Sequence, residues 1–235
     1  MQVYKFIRRR NSTSAYLIKT LVLVIWTIFT FVKLLEVAQS SPAKLGSMQA
    51  LAITFQSIHN QLYFFTPTLS VAWLLLFKIP SHHELIQLVN RNIFNNFIKD
   101  SVIEMLILFT LGSLIGTLSA TIYAPQFLQM DPQNLILAGL LLTLNALGWI
   151  ISWHILAILS IAFNKLLALS IWLVFIFLDY QLLILTNCSL FLGNGLALNN
   201  LNYDLYILTD GYLYVGYIFL INHYQLDLLK KRSML

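Results

Sequence analysis

Charge is what this chain has least of. Of its 235 residues only 10% are Asp, Glu, Lys or Arg, and most of the cations fall between long apolar runs rather than inside them. That scarcity excludes most soluble chemistry. Cysteine is nearly absent: Cys188 stands alone, which rules out an internal disulfide and a Cys-built metal site. The plain reading of Cys188 is an unpaired, idle thiol. Motifs that would carry catalysis are missing too, with no G-x-x-x-x-G-K-[ST], no H-E-x-x-H and no G-x-S-x-G.

Apolar residues are abundant instead. They make up 59% of the chain, against roughly 45–50% in soluble proteins, and the mean hydropathy is +0.78. A hydrocarbon core needs about 20 apolar residues per helical span, and several such runs occur. The expected fold is an all-α membrane protein with about six transmembrane helices. Spans use up nearly the whole length, which leaves no room for a separate catalytic domain. A net charge of +5 then points to anionic headgroups on the cytoplasmic side rather than to nucleic acid.

At the N-terminus, Val3, Phe6 and Ile7 recur at i, i+3, i+4 among Lys5, Arg8, Arg9 and Arg10. This pattern predicts a short basic amphipathic helix in the cytoplasmic interface, broken by Asn11-Ser12-Thr13-Ser14. The apolar stretch that follows exceeds the roughly 7–15 residues of a signal-peptide core, so a retained first span is expected over about Ala15–Leu35. Ser41-Pro42 and Gly46-Ser47 mark a turn. The run from Met48 to Ile79 is too long for one plain crossing. Its early part carries Gln56, Ser57, His59, Asn60 and Gln61, which predicts a helical segment at the outer surface feeding a second span from about Leu62. Pro67 is expected to kink that span.

Ser81-x-x-Glu84 after Pro80 has the form of a capping box, and Leu85, Val89, Ile93 and Phe97 recur every four residues beyond it. An amphipathic cytoplasmic helix is predicted there, then a third span over about Val102–Tyr123. Residues Asn134–Asn187 are almost continuously apolar, and as one helix would measure about 80 Å. They must fold back at Asn164-Lys165, giving spans of about Leu135–Phe163 and Leu166–Thr186. An outer segment and a last span of about Tyr212–Ile221 complete the layout. With both termini inside, twelve of the 14 cations lie on the inner side and only Lys33 and Lys44 outside, as the positive-inside rule favours.

Polar groups at membrane depth carry the most information, because each is costly unless paired or wet. Asn145, Trp149 and Trp153 recur at i, i+4, i+8, with His154 adjoining, and Asp179-Tyr180 lies toward the outer part of the fifth span. Two readings stand: helix–helix hydrogen bonding with aromatic packing, or a polar stripe lining a substrate path between subunits. Gly112-x-x-x-Gly116-x-x-x-Ala120 sets small residues along one helix face, which signals close packing. Lys33 and Glu36 read as a local interfacial pair. His82-His83 beside Glu84 reads as a solvated helix start rather than a metal site, since neighbouring helical residues diverge by about 100°.

With Lys5–Arg10 as an elbow, Ser81–Lys99 as a coupling segment and Phe191–Tyr206 as an outer re-entrant stretch, the layout resembles a known family. It is similar to the permease subunits of type-2 ABC exporters, especially the small ones encoded with bacterial peptide, bacteriocin or immunity systems. Asn90-Arg91-Asn92-x-Phe94-x-x-Phe97-x-Lys99 looks like the basic and aromatic stretch such permeases show before their third span. The resemblance implies one transmembrane permease domain over residues 1–235, with an elbow at 1–14, a coupling segment at 81–100 and an outer re-entrant segment at 188–208. It implies no enzyme activity and no cofactor in this chain, ATP being held by a separate ATP-binding cassette subunit. A second permease chain, membrane lipids and a bacterial cytoplasmic membrane location are implied as well. ATPase coupling would fall to Leu85, Val89, Arg91, Ile93, Phe94 and Phe97. The substrate path would involve Asn145, Trp149, Trp153, His154, Asp179 and Tyr180, and the cargo would be a hydrophobic peptide or lipid-like molecule. Two alternatives remain open: a non-transport immunity or assembly protein acting by helix contacts, and a membrane-embedded enzyme using His154 with Asp179 as an acid–base pair.

Overall fold

The structure is a computed structural model that describes residues 13–41, 44–90, 94–129 and 135–186, together with 191 and 217. It is mostly helical. Residues 1–12 of the elbow expected at 1–14 lie outside the described residues, as do the outer segment and the last span except for Phe191 and Tyr217.

Helix α1 runs over Thr13–Ser40, so Thr13 and Ser14 belong to the first long helix. A short strand β1 (Leu45–Gly46) leads into α2 (Ser47–Gln56). After an extended residue at Ser57 come α3 (Ile58–Asn60), a wide π-turn (Gln61–Phe65) and α4 (Thr66–Leu76). Helix α5 spans His82–Asn90 and α6 spans Phe94–Tyr123. Strand β2 (Leu128–Gln129) precedes α7 (Leu135–Ala162) and α8 (Lys165–Thr186). Among the described residues, four stretches are long and apolar enough to cross a membrane: Tyr16–Ser40, Asn96–Tyr123, Asn145–Ala162 and Lys165–Thr186.

Helices α1 and α6 form the most extensive pairing, and they run parallel. In rising order, Lys19 bonds to Glu104, Trp26 Nε1 donates to Ser113 Oγ at 2.9 Å, and Phe31 stacks edge-on against Tyr123. Their close approach has a sequence cause. A Cβ on Gly116 would sit 2.9 Å from the Thr27 carbonyl, and one on Gly112 would sit 2.8 Å from Trp26 Cδ1. The upper ends of the pair are tied by parallel pairing of β1 with β2 and by Ser47 Oγ, which lies 2.8 Å from Thr121 Oγ1 and donates to the Gln129 carbonyl at 3.0 Å.

The other helices alternate in direction. Successive contacts Gln61–Asn145 and Trp73–Trp153 make α3–α4 and α7 parallel to each other. Both run antiparallel to α6, as Phe77–Phe97 at its start and Trp153–Phe109 higher up require. Helix α8 rises again from beside the end of α4, where Lys165 Nζ donates to the Leu74 carbonyl. Outward faces are apolar, with Leu21, Val24, Ile28, Val174, Phe177 and Leu178 at least half exposed. So much exposed hydrocarbon is unstable in water and is compatible with a membrane location.

Two segments differ from the sequence expectation. Helix α2 does not lie on a surface, for Ala50, Leu51, Ala52, Thr54 and Phe55 are all at most 2% exposed. It enters the bundle and stops there. The third span also begins earlier than expected, for Phe94–Asp100 forms the first turns of α6 and neither Pro nor Gly interrupts it before Gly112. The capping box does form, with Ser81 N and Oγ donating to Glu84 Oε2 at 2.9 and 2.8 Å.

Candidate functional site

A helix that ends inside an apolar bundle leaves carbonyls that need donors. The residues after α2 supply them. Ser57 N donates to the Ile53 carbonyl, Asn60 Nδ2 to the Thr54 carbonyl at 3.1 Å, and Gln61 Nε2 to the Phe55 carbonyl at 2.6 Å. The polar cluster at 57–61 is therefore a cap for a broken helix. Immediately below, the backbone widens: Thr66 N bonds to the Gln61 carbonyl. Pro67 follows, and its ring would clash with the carbonyl four residues back in a regular helix. A π-turn relieves that crowding, and such turns recur at functional sites.

Gln61 reaches further. Its Nε2 also donates to Asn145 Oδ1 at 2.8 Å, with both residues fully buried. Below this bond, Trp149 packs edge-on against Phe55 and Trp26, and Trp153 stacks on Trp73 with ring centroids 6.0 Å apart. The stripe read from α7 is thus the facing wall of a seam whose other wall is residues 61–73. Asn145, Trp149 and Trp153 take part in helix–helix hydrogen bonding and aromatic packing inside one chain.

The seam is not fully satisfied. Gln61 Oε1 and the indole N–H groups of Trp73, Trp149 and Trp153 are buried without a hydrogen-bond partner, as are Thr66 Oγ1 and Ser160 Oγ on the same two helices. Each such atom costs about 1–3 kcal/mol in a dry interior. Trp26 is the contrast. It too is buried and touches five aromatic rings, yet its N–H is taken by Ser113.

The remaining candidates lie apart. His154 Nδ1 donates to the Ile150 carbonyl at 2.8 Å, whereas Asp179 Oδ2 accepts from Phe191 N at 3.1 Å. Each is turned to its own partner, and the two are not brought together. Phe191 also meets Trp172 edge-on. Tyr180 is half-buried against the core. Leu85 and Phe97 are 8% and 7% exposed, turned into the protein rather than outward. The side chains of Val89, Arg91, Ile93 and Phe94 lie outside the described residues. Exposed His83 is 2.8 Å from Gln87 through Nε2, and no three of His, Cys, Asp and Glu come together among the described residues.

At the turn between α7 and α8, the polar pair caps two different helices. Asn164 Oδ1 accepts from Leu167 N at 2.7 Å at the start of α8, and Lys165 holds the end of α4.

Fold and site together describe a mostly helical protein with four helices able to cross a membrane, compatible with a membrane location, and a buried polar seam at its centre. No family model matches the chain, and comparison with curated proteins and with solved structures finds no match.

Proposed function

We propose that this chain is the membrane-spanning subunit of an ATP-driven exporter, moving a hydrophobic peptide or lipid-like cargo with a separate ATP-binding cassette subunit and a second permease chain. The location proposed is a bacterial cytoplasmic membrane, with both termini inside and six crossings. Residues 58–76 and the last span would add two crossings to the four long helices.

One observation carries the reading. The capped amphipathic helix α5 hangs between the end of α4 and the start of α6, at the end of the bundle where Lys19, Lys78, Lys99 and Lys165 gather. Lys33 and Lys44 are at the opposite end. A basic end favours the cytoplasm, and a short helix there is a handle for a cytosolic motor. Because Leu85 in α5 and Phe97 at the start of α6 are turned inward, the partner would grip the other face of α5, at His83 and Gln87. The turn at Asn164-Lys165 is too short for a second handle, but through Lys165 it is fastened to the same end of α4. Motor closure shifts the helices only if nucleotide favours one arrangement by a differential free energy.

The alternative, an immunity or assembly protein acting by helix contacts, is favoured by the closed state of the seam. Joint expression with an ATP-binding cassette subunit, sought in the neighbouring reading frame, separates the two. His83→Glu with Gln87→Glu is expected to abolish co-purification while leaving the fold intact. Retained association, or labelling of His83→Cys from the external face in a Cys188→Ser background, overturns the exporter reading.

A further inference from the structure

The unpaired polar atoms are not scattered. Among the described residues eight buried side-chain N or O atoms lack a partner, and six of them belong to just two elements, residues 61–73 and α7. These elements face each other from Gln61–Asn145 down to Trp73–Trp153. The seam offers one carbonyl acceptor at Gln61 Oε1 and three donors in the indoles of Trp73, Trp149 and Trp153. Both amide hydrogens of Gln61 are already used, on Phe55 and Asn145, so turning the amide over would only exchange one unmet atom for two. The indole rings are fixed by stacking and edge-on packing and have no acceptor among the described residues.

Lipid tails supply neither donors nor acceptors to such groups. Small molecules that both donate and accept satisfy such groups, and buried water typically makes two to four hydrogen bonds of this kind. We infer that the seam between residues 61–73 and 145–153 holds internal waters along its length, which accept from the indoles of Trp73, Trp149 and Trp153 and donate to Gln61 Oε1 at its upper end. The inference is independent of the export reading.

The test uses the full chain alone in lipid nanodiscs, with tryptophan labelled by ¹⁵N at the indole nitrogen. Single Trp→Phe variants assign the signals, and Trp26, donating to Ser113, is the internal reference. Exchange of magnetisation or deuterium with water is expected to be about tenfold or more faster at Trp73, Trp149 and Trp153 than at Trp26, since a protein-bonded N–H exchanges only through opening. Gln61→Leu is expected to slow Trp149 toward the Trp26 rate. If the three indoles exchange no faster than Trp26, the seam is dry and the inference fails. Where Gln61→Leu does not fold, the wild-type comparison decides alone. No ATPase is present in the measurement, so either outcome leaves the export reading to its own experiment.

Discussion

Gln61 and Asn145, 84 positions apart, share a hydrogen bond of 2.8 Å in a region where neither touches solvent. The same Gln61 amide caps the end of α2, so one side chain joins the helix break to α7. Loss of either partner therefore does two things at once: it unpins the break and strands a polar atom.

Gln61→Leu and Asn145→Leu are each expected to destabilise the protein by about 1–3 kcal/mol. The double variant should recover part of that loss, with a coupling of about 0.6–1.7 kcal/mol. Reversible unfolding in mixed micelles measures both. Additive losses would mean that the two amides act independently.

Gly116 faces the backbone carbonyl of Thr27, while nothing lies within 4 Å of the Cβ position of Gly139. Gly116→Val is expected to push α1 from α6 and cost about 1–3 kcal/mol. Gly139→Ala should be neutral or stabilise by up to about 1 kcal/mol through helix propensity. Thermal unfolding of the two variants, side by side, checks the contrast.

Lys165 donates to the last turn of α4, and Asn164 caps α8. Lys165→Met is expected to cost about 1.5 kcal/mol, at the lower end for a charged hydrogen bond because the ammonium is only half-buried. Asn164→Ala should cost about 1 kcal/mol. Hydrogen exchange distinguishes them. The first variant should loosen amides at 74–78 and the second those at 165–168.

Asp179 accepts from the backbone of Phe191. Asp179→Asn keeps an acceptor oxygen there and should leave the Phe191 amide protected. Asp179→Leu removes it, and exchange at Phe191 is expected to rise by about tenfold or more. Equal protection in both variants would mean that Trp172 alone holds Phe191 in place.

What could be read from the amino acids was whatever depends on near neighbours. Ser81 with Glu84, Lys33 with Glu36 and the glycine stripe at Gly112 and Gly116 all act where spacing places them. Four apolar runs emerge as long helices: Leu135–Ala162 and Lys165–Thr186 match their expected bounds to one residue, while the first runs on to Ser40 and the third starts eight residues early, at Phe94. The stripe Asn145–Trp149–Trp153 was visible too, because helical spacing puts its members on one face. Its partner was not, since no local pattern links Gln61 to a residue on a distant helix. Composition misled at Met48–Ile79, where polar residues at 57–61 resemble a surface segment yet serve as caps for a break. The inward face of α5 was not legible either: Leu85, an expected coupling contact, is buried.

The pairing of α1 with α6 has a consequence for biogenesis. Trp26 lies 87 positions before its partner Ser113, and chains are made at about 5–20 residues per second. The first helix therefore resides in its surroundings for roughly 4–17 s before the glycine surface it requires has been synthesised. Through that interval its indole N–H has neither Ser113 nor the Phe109 ring beside it. A newborn chain of this protein is thus exposed to premature partners at its first helix, and co-translational insertion factors have their longest window of contact there.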